Sequence, residues 1–359
     1  MGKHKIVCQD GDGKNPRLKK DQAKKPKFSD RRALGLALGG GGARGIAHLG
    51  VLKILVREKI PIDIVVGSSM GALVGGAFAA GRSVEELEDL LKKFLESSIY
   101  KKSDTYVLGQ AYGEKPKGIG DRIQLFFKKN ILLAQLLMRP GIIPDEEFAE
   151  FINFFVPDID IQDTIIPFSP VATDLQTGER LCLQSGPLRK AVLASCALPG
   201  VITPVEWNGR HLADGGIILL VPTTTCACEL GAGFVVSVAV ERDIATEEEF
   251  TNAVDIYVRA GDIQGFYLTS SVLQESDVVI RPDVGHIHWA EFHRGLELIK
   301  KGELAAEASL ESIKKGLPKP RAPFTLDNIL NSLLKRIKGE PKAEEKTLDR
   351  SLPAPIPET

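Results

Sequence analysis

Cysteine is scarce in this 359-residue chain, with thiols only at Cys8, Cys182, Cys196, Cys226 and Cys228. Five is too few for a disulfide scaffold at this length, and the odd count fits a reducing compartment. Cys226 and Cys228 lack a second pair of ligands, so no metal is expected, and nothing in the chain calls for a cofactor. Long hydrophobic runs are missing too. The one uncharged stretch near membrane-helix length, Ile64 to Gly81, holds five glycines and two serines, which suits a buried core element better than a bilayer span. Residues 1–32 contain no apolar h-region, so a secretory signal peptide is not expected, and Ile6 stands where a myristoylation motif needs Ser or Thr. No internal repeat is visible.

A net charge of one sign is also absent, since 46 Lys and Arg meet 47 Asp and Glu. The balance conceals an asymmetry. Residues 1–32 carry eleven Lys or Arg against four Asp, or +7, which leaves 35 against 43, or −8, for the remainder. This predicts a basic, disordered arm able to touch an anionic membrane, on a protein otherwise expected in the cytoplasm. Nucleic acid is not the expected partner. With 43% hydrophobic and 26% charged residues, the rest has the composition of a soluble domain large enough to bury a core.

What is present centres on Ile64 to Leu73, a β-branched run that meets a small polar turn and then a small-residue helical pattern. Gly67 and Gly71 bracket Ser69 in a G-x-S-x-G arrangement, which suits a sharp strand-to-helix turn presenting Ser69 at a helix N-terminus. Upstream, Ala33 to Leu38 reads as a strand, followed by a glycine-rich loop, Gly39 to Gly45, a helix over 46–59 with Ile46, Leu49, Leu52 and Val56 inward, and a second strand over 62–66. That βαβ unit makes the two strands parallel and brings the glycine loop beside Ser69. Three readings of the loop stay open. Gly40-x-Gly42-x-x-Gly45 matches a dinucleotide fingerprint, although no acidic residue ends the next strand. It fits a purely structural turn. It also fits an oxyanion hole, the reading that explains its place beside Ser69.

Further along, Ser83 to Glu86 form a capping box for a helix to Glu96. Residues 100–118 read as a loop, 123–138 as a core helix or a lid, and 143–155 as an amphipathic helix. Phe168 to Thr173 and Glu179 to Gln184 make a hairpin, 188–198 a helix, and 205–216 a turn and short strand closing on Asp214, Gly215 and Gly216. A helix over 222–230, strands at 234–240 and 278–280, a charged surface helix over 291–316 and an amphipathic segment at 324–338 complete the pattern. A serine nucleophile needs a base. His286, His288 and His293 come late enough for an α/β-hydrolase triad, whereas Asp214 sits in a glycine-flanked strand-end turn.

Gly40-Gly41-Gly42-Ala43-Arg44-Gly45, Gly67-Ser68-Ser69-Met70-Gly71 and Asp214-Gly215-Gly216, in this order, resemble the three signature blocks of the patatin-like phospholipase family, and Ala194 to Pro199 resembles a block preceding its aspartate. The resemblance spans about Leu34 to Gly233, and the segment to about Gly316 resembles the tail of bacterial members. It implies a three-layer α/β/α fold with a mostly parallel central sheet. The implied domains are a catalytic domain over 33–233, a segment over 234–318 that completes or covers it, and an amphipathic helix with a disordered tail over 319–359. It further implies a serine lipid acyl hydrolase of phospholipase A or esterase type, acting on phospholipid or another acyl-ester lipid. Ser69 would be the nucleophile, Asp214 its base without histidine, and the glycine loop with Arg44 the oxyanion hole, where Arg44 would orient the loop or meet a lipid phosphate. Gly39 stands where plant members often have Asp, and Gly216 where many members have Ala. A Ser-His-Asp esterase and a non-catalytic lipid-binding protein remain as alternatives.

Overall fold

The computed structural model describes residues 33–103, 141–244 and 253–317. The basic arm, the 123–138 stretch, most of the 100–118 loop and the 324–338 segment lie outside the described residues. The first strand, β1 (Leu34–Leu38), and the second, β2 (Ile64–Ser68), are buried at every position, as parallel strands covered on both faces must be. They pair in parallel, with Leu36 opposite Val65, on either side of α1 (Ala47–Arg57). The second strand starts two residues later than the pattern suggested, because Asp63 is occupied at the mouth of β1. Its carboxylate accepts from the Leu34 N–H at 2.7 Å, and its own N–H donates to the Leu34 carbonyl.

The remaining strands are β3 (Phe168–Asp174), β4 (Arg180–Cys182), β5 (Val205–Trp207), β6 (Arg210–Asp214), β7 (Phe234–Val238) and β8 (Val278–Ile280). They form one mixed sheet in the order β5-β6-β3-β2-β1-β7-β8, with β4 against β3. The strands β3, β2, β1, β7 and β8 are mutually parallel, so β1, β2 and β7 end at one edge. The hairpin β3–β4 matches expectation. A second hairpin, β5–β6, turns on Asn208-Gly209, both at positive φ (51° and 79°), the pair that a two-residue turn favours. Because β6 runs against β3, Asp214 arrives at the edge where β2 ends. Ser68 pairs with Val171, and the next residue of β3, Ala172, pairs with Asp214.

One face of the sheet is covered by α1, α2 (Met70–Ala79), α3 (Val84–Glu96), α5 (Asp145–Phe155), α6 (Leu188–Ser195) and α8 (Gly295–Gly316), with α4 (Ser98–Lys102) following α3. The expected capping box of Ser83 and Glu86 is present. Helix α8, read as a surface element, is instead docked on α1 and buries Leu298, Ile299, Ala306 and Ile313. The two backbones touch at glycines, since a Cβ on Gly50 would overlap the Ile299 carbonyl and one on Gly302 the Ala47 carbonyl. Val56, expected inward, is 46% exposed at the end of α1.

The opposite face carries the helix expected over 222–230, which is π-helical from Thr225 to Glu229, and the C-terminal end of α7 (Ala253–Leu273), which the sequence did not reveal. Among the described residues no helix is long and apolar enough to cross a membrane, and the span from Ile64 divides between β2 and α2. Among the described residues Cys182, Cys196 and Cys226 are free thiols.

Candidate active site

Ser69 lies between β2 and α2 at φ 54°, ψ −126°. A non-glycine residue held there stores roughly 1–3 kcal/mol of strain. Two hydrogen bonds hold it: the Ser69 N–H donates to the Ser195 hydroxyl at 3.0 Å, and that hydroxyl donates to the Val171 carbonyl at 2.6 Å. The flanking glycines answer to close approach. A Cβ on Gly67 would collide with the backbone of Gly71 and Ala72, and one on Gly71 with the Leu38 carbonyl. The G-x-S-x-G spacing therefore reflects a strand and helix packed backbone to backbone.

Asp214 reaches the same point from across β3. It is 4% exposed, its carboxylate accepts from the Gly216 N–H at 2.7 Å, and the Ser69 side chain lies near enough to act on its pKa. Burial pushes its pKa up to about 6, against the opposing pull of the Ser69 and Gly216 donors. Gly215 is equally constrained, since a Cβ there would overlap the Val171 carbonyl.

The glycine loop lies on Ser69, for a Cβ on Gly40 would come within 3.0 Å of the Ser69 Cβ. Its amides are sorted by use. Gly39 N–H donates to Val238, Gly40 N–H to Leu220 and Ala43 N–H to Trp289. Among the described residues the N–H groups of Gly41 and Gly42 have no such backbone acceptor. Gly42 has φ 58°, and a Cβ on it would sit 2.5 Å from the Trp289 carbonyl oxygen. A Cβ on Gly45 would overlap Met70.

Arg44 is buried, and its guanidinium donates to the carbonyls of Val240 and Ile287, each at 3.0 Å. Burial lowers its pKa to about 10, so it stays charged at neutral pH. Of the two roles left open for Arg44, its contacts are those of an orienting residue that ties the loop to two neighbouring segments. His48, not anticipated as part of the site, is fully buried on α1 with Nε2 2.7 Å from the Gly39 carbonyl oxygen. Burial lowers its pKa to about 4, so it is neutral and donates through Nε2–H. The only trace in the sequence is a histidine on an otherwise apolar helix face.

The three late histidines lie elsewhere in the hydrogen-bond pattern. His286 pairs loosely with Asp283. His288 accepts from the Ala290 N–H through Nδ1, and burial with Arg242 and Arg44 nearby pushes its pKa down to about 3. Among the described residues, no histidine is hydrogen-bonded to Ser69 or Asp214. Next to Met70 a wholly apolar cavity of about 20 Å³ lies among Ile46, Leu73, Leu91, Phe155 and Phe292.

Residues 36–227 match the family model described as patatin-like phospholipase. The chain belongs to this family. Among its patatin-like relatives, an NTE family protein of Mycobacterium tuberculosis is 36% identical over 192 residues, covering 54% of this chain and 45% of that protein. The human patatin-like phospholipase domain-containing protein 6 is 27% identical over 274 residues, covering 74% of this chain and 17% of that protein. The chain thus spans less than half the length of these curated relatives. Among solved structures, VipD from Legionella pneumophila aligns with a TM-score of 0.43 at 18% identity, over 78% of this chain and 67% of that one.

Proposed function

We propose that this patatin-like protein is a serine hydrolase of lipid acyl esters, with Ser69 as nucleophile and Asp214 as its base. The observation that carries this is the closeness of the Ser69 side chain to the buried Asp214 carboxylate, whose pKa it draws down, beside the N–H groups of Gly41 and Gly42. In the acylation step Asp214 takes the Ser69 hydroxyl proton as Oγ attacks the ester carbonyl. The oxygen that gains charge is received by the N–H groups of Gly41 and Gly42, where one such donor is typically worth about 2.7–4 kcal/mol. Asp214 then gives its proton to the departing alcohol, and water, activated by the same carboxylate, releases the fatty acid. Asp214 is a weak base, and the N-terminus of α2 assists by stabilising negative charge on the Ser69 oxygen.

Ser69→Ala and Asp214→Asn should each lower turnover of a p-nitrophenyl ester and of phospholipid by orders of magnitude, and Ser69→Ala should abolish labelling by a fluorophosphonate probe. Full activity in a folded Ser69→Ala protein rejects the proposal, and a lipid-binding role without turnover would then be the better account. Alanine at His286, His288 or His293 should have small effects. A collapse of acylation in one of them would favour a Ser-His-Asp esterase.

The basic arm, residues 1–32, is proposed to bring the protein to anionic membranes. Its deletion should reduce sedimentation with anionic vesicles and hydrolysis of vesicle lipid while sparing a soluble ester. Unchanged vesicle binding at low salt would dismiss that part.

A further inference from the structure

We infer that Ser195 is a positioning residue for the reaction, and that the turn from Ser195 to Ala197 sets the spacing between Ser69 and Asp214. This rests on the Ser69–Asp214 reading above. The Ser195 hydroxyl is inaccessible to solvent, and both of its capacities are committed. Its proton goes to the Val171 carbonyl at 2.6 Å, which turns a lone pair toward the Ser69 N–H at 3.0 Å. Two residues later the Ala197 carbonyl accepts from the Asp214 N–H at 2.9 Å. One turn at the end of α6 thus grips the backbone of both members of the pair, and it does so across Val171, the strand residue that pairs with Ser68.

The hydroxyl has two consequences for the chemistry. It holds Ser69 at a φ and ψ that a serine does not adopt unaided, and this conformation aims Oγ at Asp214. It also keeps the Ser69 N–H occupied on the side facing α6, so the oxyanion is left to other amides. Without the hydroxyl, the Ser69 N–H and the Val171 carbonyl would be buried unpaired. The turn would then relax toward ordinary dihedrals and carry Oγ away from the carboxylate. Ser195 itself touches no reacting atom, which makes its effect one of geometry.

Ser195→Thr and Ser195→Val are nearly equal in bulk and differ in the hydroxyl, so they form the test, with Ser195→Ala beside them. Turnover of a short p-nitrophenyl ester is measured per titrated site, well below each variant's melting temperature. The expectation is a kcat for Ser195→Val and Ser195→Ala about 10–100-fold below native, as a displacement of about 1 Å produces, with KM nearly unchanged. Ser195→Thr should recover at least tenfold over Ser195→Val. In Ser195→Val the acid limb of the pH–rate profile should shift upward, because the Ser69 side chain that draws down the Asp214 pKa moves away from the carboxylate. Equal kcat for folded Thr and Val variants, or a loss confined to KM or to melting temperature, overturns the inference. Full activity in Ser69→Ala would instead reject the underlying reading, and so separates the two failures. If Ser195→Val does not fold, the comparison of Ser195→Thr and Ser195→Ala with native decides on the same criteria.

Discussion

The Ser69 side chain lies close to the Asp214 carboxylate and acts on its pKa at a place where Asp214 is 4% exposed. The buried carboxylate is thereby a stronger base than an aspartate in water, and protons reach it in a testable pH range. Base catalysis needs the ionised form, and burial places the pKa at about 6. The acid limb of kcat/KM should bend near pH 6 and fall about tenfold per pH unit below it. A profile that stays flat down to pH 4 would remove Asp214 as the essential base.

The same shift predicts a conflict between activity and stability. Asp214 has a folded-state pKa of about 6, above the value of about 3.9 for an unfolded chain. Between pH 4 and 6 the folded state therefore binds more protons, and stability falls as pH rises through that window. At pH 7 the ionised carboxylate costs on the order of 3 kcal/mol. Asp214→Asn should accordingly melt at a higher temperature than the native protein at pH 7.5, with the gap closing toward pH 4, while losing turnover. Thermal melts of both proteins across that range check it.

Arg44 bridges the Val240 and Ile287 carbonyls, a span that a planar fork covers and a single ammonium does not. Arg44→Lys should lower both melting temperature and kcat, with the same proportional loss on an uncharged ester and on a phospholipid. A selective rise in KM for phospholipid would mean instead that Arg44 meets the phosphate.

Glycines in two helices should respond in opposite directions. Gly50→Ala drives a methyl into the Ile299 carbonyl across the α1–α8 contact and should cost about 1–3 kcal/mol or more. Gly261 and Gly265 in α7 have nothing within 4 Å of a prospective Cβ, so alanine there should stabilise by about 0.5–1 kcal/mol. Chemical denaturation of the three variants decides both signs.

These contrasts explain which parts were legible in the sequence. The central strands were readable because they are buried on both faces and so consist of apolar residues throughout. The site was readable in Gly67, Gly71 and Gly215, where backbones approach too closely for any Cβ and composition is forced. The docking of α8 was not, because its buried Leu298, Ile299, Ala306 and Ile313 are set among many charged residues and the closest approach is made by Gly50 and Gly302, which have no side chain to mark it. Helix α7 escaped for another reason: Tyr257 and Tyr267 are 81% and 66% exposed, so its hydrophobic residues do not mark a buried face. Ser195 was hidden because its role is a pair of hydrogen bonds to backbone distant in sequence, which no local pattern encodes. The boundary of β2 was missed through Asp63, whose side chain acts on the start of β1.

The place of β1 in the sheet sets a timetable for synthesis. Leu34 has Phe234 as its neighbour on one side, and β2 follows β1 closely on the other. A ribosome making this chain therefore supplies one partner of β1 almost at once and the second about 200 residues later. Until Phe234 emerges, β1 presents a bare apolar edge of the kind that recruits foreign strands. A nascent chain stalled before residue 234 thus carries Ser69, the glycine loop and Asp214 on a half-finished sheet whose open edge lies at β1.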